Sequence, residues 1–385
     1  MNFNLNIPTK IFFGEGKISE LESNITAYGN KIMLVYGKDS IKKNGIYQAV
    51  IDELTSNGFE YVELSGVDPN PRISLVRKGV DICKREGIEF ILAVGGGSTI
   101  DCAKAIAAGA KYDGDPWDIC SFKAWAYEAL PIGVVLTVAA SGSEMNNGSV
   151  ITNDETNQKY GWESDAVYPK FSILDPTYTF SVSKHQTACG IVDTLTHIYE
   201  FYFNVGNNAD ITDRMSEAVM KTVIKYGKIA YNRPDNFEAR SNLMWASSLA
   251  LNGTLSAGKE FDGFNHLTEH AISGIYDITH ADGLSILAPY WMEYILDDNT
   301  VEKFSEFARN VWDINNEDNY EAAKEAIRTT REFYKHIGMP TKLSEVGIDA
   351  SRFEDIMNES IYGETLGCFK KLTREDIRII LTNAL

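Results

Sequence analysis

The fold is decided by the stretch EFILAVGGGSTIDCAKAIA, residues Glu89–Ala107. Its first part, Glu89–Val94, is an apolar run typical of a buried strand, and Ser98–Ala108 has the pattern of a helix. Gly95–Gly97 lie between them. Glycines at such a junction let the backbone approach phosphate groups, and the start of the helix attracts their negative charge. The stretch predicts a site for a nucleotide pyrophosphate, although an ordinary glycine-rich turn has the same pattern.

Strand and helix patterns alternate on both sides of this stretch. The predicted strands are Lys31–Gly37, Phe59–Ser65, Glu89–Val94, Pro131–Ala139 and Phe171–Leu174, and the predicted helices between them are Ser40–Asn57, Ser74–Glu86 and Ser98–Ala108. Such alternation indicates a parallel sheet with helices on both faces.

The second half of the chain has a different character, because helical periods dominate and β-branched runs become rare. The predicted helices here are Thr187–Phe203, Ile211–Tyr226, Asn236–Leu251, Glu302–Val311 and Tyr320–His336. We therefore predict two domains: a dinucleotide-binding α/β domain over residues 1–180 and an all-helical domain over residues 181–385.

Composition excludes several classes of partner. Lys and Arg number 36 and Asp and Glu number 54, which gives a formal charge of -18. Such a surface repels nucleic acid and anionic membranes. The most apolar stretch, Pro131–Ala140, is too short to cross a bilayer, and Met1–Lys10 has no apolar core of a signal peptide. The five cysteines form no C-x-x-C pair, so we expect free thiols and a cytoplasmic protein without membrane or nucleic-acid partners.

Histidine and aspartate are spaced like metal ligands. Asp193 and His197 are four residues apart in a predicted helix, so both lie on one helical face. His266, His270 and His280 fall within fifteen residues of each other. Carboxylate and imidazole ligands suit Fe²⁺ or Zn²⁺. A pair such as Asp193 and His197 also occurs on ordinary helix surfaces, so spacing alone leaves both interpretations open.

A shared ion requires the chain to reverse between His266 and His280. In one unbroken helix these two residues would be roughly 21 Å apart. Gly274, Tyr276 and Asp277 lie between them and are compatible with a helix end. The metal hypothesis therefore predicts a broken helix at this point.

Seven motifs along the chain together resemble the iron-dependent, or group III, alcohol dehydrogenases, in the branch of butanol dehydrogenases and aldehyde reductases. They are FFGEGKI (Phe12–Ile18), GGGSTIDCAK (Gly95–Lys104), LTVAASGSEM (Leu136–Met145), LDPTYT (Leu174–Thr179), DTLTH (Asp193–His197), NHLTEH (Asn265–His270) and DITHADG (Asp277–Gly283). The resemblance implies a Rossmann-like α/β domain and an all-α metal-binding and catalytic domain, the architecture of dehydroquinate synthase, with the active site in the cleft between them. It also implies a homodimer.

The resemblance further implies the site residues. The metal ligands would be Asp193, His197, His266 and His280, and His270 would lie near the bound substrate as a catalytic residue. The nucleotide contacts would be Gly37, Ser40, Asn70, Gly95, Gly96, Gly97, Ser98, Asp101, Thr137, Ser141 and Lys159.

The predicted function is metal-dependent, NAD(P)-linked interconversion of a small to medium primary alcohol and its aldehyde, of the butanol and butanal kind. Relatives that prefer NADP usually have a glycine run where this chain has Gly37, Lys38, Asp39 and Ser40. Asp39 suits the ribose hydroxyl of NAD and Lys38 suits the phosphate of NADP. The branch favours NADP(H) over NAD(H), and we predict NADP(H).

Alternative activities on the same fold are a polyol dehydrogenase of the glycerol type and a sugar-phosphate cyclase. A cyclase needs cations around a phosphate, whereas Gln186–Glu200 and Phe261–Gly283 contain no Lys or Arg. A non-catalytic dinucleotide- or metal-binding protein is a third alternative. Trp162, Phe261, Phe264 and Tyr276 would suit an apolar aldehyde, or they are core residues.

Overall fold

The computed structural model describes residues 1–204 and 209–385. Packing divides these residues into two compact units. The first along the chain contains Asn6–Val182 and Pro234–Ser248, and the second contains Met1–Leu5, Ser183–Arg233 and Leu249–Leu385. The predicted domain boundary between residues 180 and 181 stays a prediction.

The α/β unit is built on a six-stranded sheet in which every pair is parallel, with strand order β1-β8-β5-β4-β2-β3. Its strands are β1 (Lys10–Phe13), β2 (Lys31–Tyr36), β3 (Glu60–Leu64), β4 (Phe90–Gly95), β5 (Ile132–Leu136) and β8 (Phe171–Leu174). The central strands β4 and β5 are buried along their whole length. A parallel sheet covered on both faces requires such continuous apolar strands.

Helices cover both faces of the sheet, as predicted. They are α1 (Leu21–Ile25), α2 (Ser40–Lys43), α3 (Ile46–Ser56), α4 (Ile73–Glu86), α5 (Gly97–Ala110) and α6 (Pro116–Cys120). One buried core contains Val76 of α4 and Ile106 of α5. The other contains Leu21 of α1 and Val50 of α3.

Three details differ from the elements that the sequence predicts. The predicted helix Ser40–Asn57 is two helices, because Gly45 interrupts it with a φ of 81°. The hairpin of β6 (Gly148–Asn153) and β7 (Gln158–Glu163), which is antiparallel, was not predicted. Helix α9 (Phe237–Ala250) packs with the α/β unit, where Met244 joins the core that contains α4 and α5.

The second unit is helical. Its helices are α7 (Lys184–Tyr202), α8 (Asp210–Asn232), α10 (Phe264–Tyr276), α11 (His280–Ile295), α12 (Val301–Trp312), α13 (Asn319–His336), α14 (Phe353–Ser360) and α15 (Arg374–Asn383). None of the described helices combines the length and the apolar character needed to cross a membrane.

The chain reverses between α10 and α11, as the metal hypothesis requires. Helix α10 ends at Tyr276, and Asp277 takes a left-handed conformation with a φ of 54°. Three residues later His280 begins α11. The predicted break is therefore confirmed, and it brings the start of one helix beside the middle of the other.

Candidate functional site

Helix α7 carries the first two predicted metal ligands on one buried face. Ser183 caps the start of this helix by accepting a hydrogen bond from the amide of Gln186. Asp193 and His197 are both 6% exposed, and His197 Nδ1 lies 3.5 Å from Asp193 Oδ1. A buried carboxylate and imidazole at this spacing form a clip for a cation.

Helices α10 and α11 bring two further imidazoles to Asp193. His266 Nε2 and His280 Nε2 each lie 3.8 Å from Asp193 Oδ1. The ligand atoms of Asp193, His266 and His280 all lie within 4.8 Å of one another. His197 stacks on His266 with ring centroids 4.4 Å apart, but it is outside the group that meets this distance limit.

Three buried polar atoms at this convergence have no hydrogen-bond partner: Asp193 Oδ1, His197 Nδ1 and His266 Nε2. Burying a polar atom without a partner is costly, so such atoms call for a ligand. One carboxylate with three imidazoles is a donor set for Fe²⁺ or Zn²⁺. The residues present therefore fit a divalent metal ion.

The electrostatics of the site favour a positive charge at its centre. Burial disfavours the charged carboxylate of Asp193, yet the neighbouring imidazoles outweigh burial and hold the pKa of this carboxyl well below its ordinary value. Burial lowers the pKa of His197 to about 3, so this ring is neutral. Burial opposes the charge on His266 as well, but Glu200 and Asp193 raise its pKa to about 10.

Two buried glutamates orient two of the predicted ligand histidines. Glu200 Oε2 lies 2.5 Å from His266 Nδ1, and Glu200 Oε1 accepts the amides of Asn265 and His266 at 2.6 and 3.2 Å. Glu269 accepts from His280 Nδ1 and from the hydroxyl of Ser273. Carboxylates behind ligand histidines fix the ring so that Nε2 faces the metal.

Sequence reasoning missed both glutamates. Glu200 follows Asp193 by seven residues, which is the same face of α7 two turns on. Glu269 directly precedes His270 in α10. The seven-residue spacing of Glu200 from Asp193 could have indicated its position from the sequence. The contact of Glu269 with His280 could not be predicted in this way, because it depends on the reversal between α10 and α11.

His270 lies beside the predicted ligands, as its spacing from His266 requires. Its ring centroid is 5.3 Å from that of His280 and 6.3 Å from that of His266. It is 9% exposed, and its ligand atom lies within 4.8 Å of those of Glu269 and His280. The ring is close enough to reach a group bound at the predicted ligands.

The predicted nucleotide loop is closely packed around its glycines. A Cβ on Gly97 would lie 2.2 Å from Ser141 Oγ, one on Gly95 would lie 2.4 Å from Thr99 Oγ1, and one on Gly96 would lie 3.0 Å from Val138 Cβ. No side chain caps the start of α5, where Gly96 stands at the N-cap. A backbone cradle at a helix start is suited to phosphate oxygens.

Three groups of predicted nucleotide contacts follow adjacent strands. Gly37–Ser40 follow β2, Gly95 ends β4, Ser98 lies in the first turn of α5, and Thr137–Ser141 follow β5. These strands are neighbours in the sheet, so the three groups meet at its carboxyl edge, where open α/β sheets bind ligands. Asn70, Thr137 and Lys159 are buried, at 5%, 7% and 7% exposure.

Asp101 and Lys38 have protein partners. Asp101 accepts hydrogen bonds from Ser143 Oγ at 2.6 Å and from the amide of Val150 at 3.0 Å, so its carboxylate ties α5 to the segment after β5. The Lys38 ammonium lies 2.8 Å from Asp68. Asp39 is exposed.

Among the described residues, Phe261 is the aromatic candidate whose ring pairs with that of a predicted ligand. The Phe261 ring centroid lies 6.2 Å from that of His266, and the side chain is 45% exposed. Phe264 is fully buried and stacks on Trp291 at 6.3 Å. Trp162 belongs to the core of the α/β unit. Phe264 and Trp162 are therefore core residues.

Comparison with known proteins matches both halves of the chain to one family. Residues 8–176 match the model for iron-containing alcohol dehydrogenase, and residues 187–385 match the C-terminal model of the same family. The chain belongs to the iron-containing alcohol dehydrogenase family. The predicted fold and enzyme class, an NAD(P)-linked, metal-dependent alcohol dehydrogenase or aldehyde reductase, are confirmed.

Individual relatives cover nearly the whole chain. NADH-dependent butanol dehydrogenase A of Clostridium acetobutylicum is 49% identical and is aligned over 98% of each chain. NADPH-dependent aldehyde reductase YqhD of Escherichia coli is 37% identical over 93% of this chain and 92% of its own. The crystal structure of NADH-dependent butanol dehydrogenase A from Thermotoga maritima superposes with a TM-score of 0.95 at 41% identity, covering 100% of this chain and 98% of the other.

Proposed function

We propose that the chain reduces small to medium apolar aldehydes to primary alcohols, and catalyses the reverse reaction, with one divalent ion at Asp193, His197, His266 and His280. The observation that carries this proposal is the convergence of Asp193, His266 and His280 within 4.8 Å of one another. Two of their ligand atoms, Asp193 Oδ1 and His266 Nε2, are buried without a partner.

The chemistry divides between the bound groups and the chain. A bound ion would supply Lewis-acid polarisation of the carbonyl oxygen, and a bound reduced nicotinamide would supply the hydride for the carbonyl carbon. Asp193 provides the negative charge that holds the ion, and Glu200 keeps Nε2 of His266 directed at it. The glycine loop at Gly95–Gly97 holds the pyrophosphate of the nucleotide through backbone amides.

The product alcohol needs a proton on its oxygen. His270 is the titratable ring nearest to His280 that is not assigned as a ligand, with centroids 5.3 Å apart. We assign it the delivery of this proton, directly or through one water molecule. In the oxidative direction the same ring removes it.

We propose NADH as the preferred nucleotide, whereas the NADP(H) preference predicted from the sequence stays a prediction, since relatives of both kinds exist. Lys38, the cation best placed for a 2′-phosphate, is paired with Asp68, and Lys42 lies over the rings of Tyr36 and Tyr47. The exposed carboxylate of Asp39 suits a 2′-hydroxyl and repels a phosphate. The names of the two butanol dehydrogenase relatives, both NADH-dependent, support the same choice.

The substrate is uncharged and partly apolar. The stretches that carry the predicted ligands, Gln186–Glu200 and Phe261–Gly283, contain no Lys or Arg, which disfavours a sugar phosphate. Phe261 offers an exposed ring beside His266. The names of the butanol dehydrogenase relatives support a substrate with a short carbon chain. We propose butanal as a representative substrate.

The test is a substrate panel on protein whose metal content has been measured. Butanal is offered with NADH or NADPH, and glycerol, 1,3-propanediol and a sugar phosphate are offered with NAD⁺ or NADP⁺. We expect the highest kcat/KM for butanal with NADH, and no turnover of the sugar phosphate. Higher kcat/KM for a polyol, or no nucleotide oxidation with any aldehyde, contradicts the proposal.

A further inference from the structure

Helix α7 carries a second pair of candidate ligands on the same stripe as the first. His185, Cys189, Asp193 and His197 follow one another at intervals of four residues. Residues four apart lie on one helical face, about 6 Å apart along the axis. The second pair, His185 and Cys189, is not used by the proposed reaction.

Helix α11 supplies a carboxylate to this pair. His185 Nε2 lies 3.6 Å from Cys189 Sγ and 3.6 Å from Asp282 Oδ1. The ligand atoms of His185, Cys189 and Asp282 all lie within 4.8 Å of one another. Asp282 Oδ1, the atom that faces His185, is buried and has no hydrogen-bond partner.

We infer that His185, Cys189 and Asp282 form a second divalent-metal site, selective for zinc-like ions and completed by a water molecule as the fourth ligand.

The distances suit a tetrahedral ion. A zinc–sulfur bond of about 2.3 Å and a zinc–nitrogen bond of about 2.0 Å at the tetrahedral angle separate the sulfur and nitrogen by roughly 3.5 Å. The corresponding nitrogen–oxygen separation is roughly 3.3 Å. The observed 3.6 Å for each pair requires only small side-chain adjustments.

The environment favours reversible binding. The His185 side chain is 47% exposed, so an ion can reach the site from solvent, while the Asp282 side chain is 14% exposed. A thiolate and a carboxylate together balance the charge of a divalent ion. Burial raises the pKa of the Cys189 thiol, so the ion must displace a proton, which weakens binding.

Cobalt(II) separates this site from the first one. Cobalt bound to a thiolate gives a near-ultraviolet charge-transfer band, and the ligands proposed for the first site, Asp193, His197, His266 and His280, contain no sulfur. The experiment adds Co²⁺ to reduced protein whose first site is already loaded with metal. We expect the band to grow with one further equivalent per chain.

Variants assign the band to residues. Cys189→Ser should abolish it, and His185→Ala and Asp282→Asn should weaken cobalt binding at least about tenfold. Cys368→Ser and His336→Ala are the matched controls and should keep it. No band in the wild type, or a band that survives Cys189→Ser, overturns the proposal. If Cys189→Ser fails to fold, His185→Ala, a change at a more exposed residue, serves as the test instead. Unchanged cobalt affinity in that variant overturns the proposal.

Discussion

His266 and Glu200 are joined by a buried contact of 2.5 Å between Nδ1 and Oε2. The same glutamate receives two backbone amides at the start of α10. A carboxylate accepts and does not donate, so Nδ1 of His266 carries a hydrogen, and a metal ion would replace the proton on Nε2. This one contact orients a proposed ligand and anchors its helix.

Replacing Glu200 by glutamine should weaken metal binding. The amide preserves the size of the side chain but removes the charge that supports His266, and such partners typically contribute about 10–100-fold in metal affinity. The measurement is metal retention in a chelator titration. Glu302→Gln, an exposed change in α12, is the control, and equal metal affinity in both variants would contradict the role of Glu200.

His270→Ala should keep the metal and lower turnover. The ring is next to His280 but is not one of the proposed ligands, so its loss removes proton delivery and not the ion. We expect a lower kcat and an altered pH profile, measured together with metal content by elemental analysis. A variant without metal would show that His270 is a ligand, in the group that it forms with Glu269 and His280.

Asp39→Gly should shift the nucleotide preference towards NADPH. Removing the carboxylate removes its repulsion of the 2′-phosphate of NADPH. The glycine offers NADH no additional contact, so only NADPH binding improves. We expect the wild type to favour NADH in kcat/KM at least about tenfold, which corresponds to about 1.4 kcal/mol. Preference for NADPH in the wild type, or an unchanged ratio in Asp39→Gly, would refute the assignment of Asp39 to the ribose.

Lys104→Met should destabilise the α/β unit. The Lys104 ammonium is fully buried and donates to Ser143 Oγ, Asn146 O and Oδ1, and Gly148 O at 2.8–3.0 Å. Methionine removes the Lys104 donor from all four acceptors, of which Asn146 Oδ1 keeps the amide of Gly148, and this loss should lower the free energy of unfolding by about 3 kcal/mol. The measurement is the free energy of unfolding in urea, and the control is Lys78→Met, an exposed change in α4. Equal stability of the two variants would rule out a stabilising role for Lys104.

The sequence is informative about the sheet because the central strands are apolar runs with clear ends. It is less informative where local pattern and tertiary contact disagree. Gly45 splits the predicted helix Ser40–Asn57 through its left-handed backbone, and one glycine in a helical pattern does not by itself announce a break. The strands β6 and β7 of the hairpin are buried only in part. Their apolar and polar residues therefore alternate too weakly to predict a strand.

For the site, spacing brought Asp193 and His197 forward as a candidate ligand pair, and the metal hypothesis required the reversal that Asp277 makes. It did not identify Glu200 or Glu269, because a glutamate is usually a solvated residue and only the fold shows that these two are fully buried. The nucleotide contacts were implied by family resemblance. Their arrangement at one sheet edge depends on strand order, which no local pattern contains.

Metal content and aldehyde reduction measured together in His266→Ala test the central claim most directly. His266 is the proposed ligand that lies next to both Asp193 and Glu200, so its loss should empty the site and abolish NADH oxidation with butanal. His336→Ala, an exposed change at the end of α13, should retain both metal and activity. Full metal occupancy with unchanged activity in His266→Ala would contradict the account.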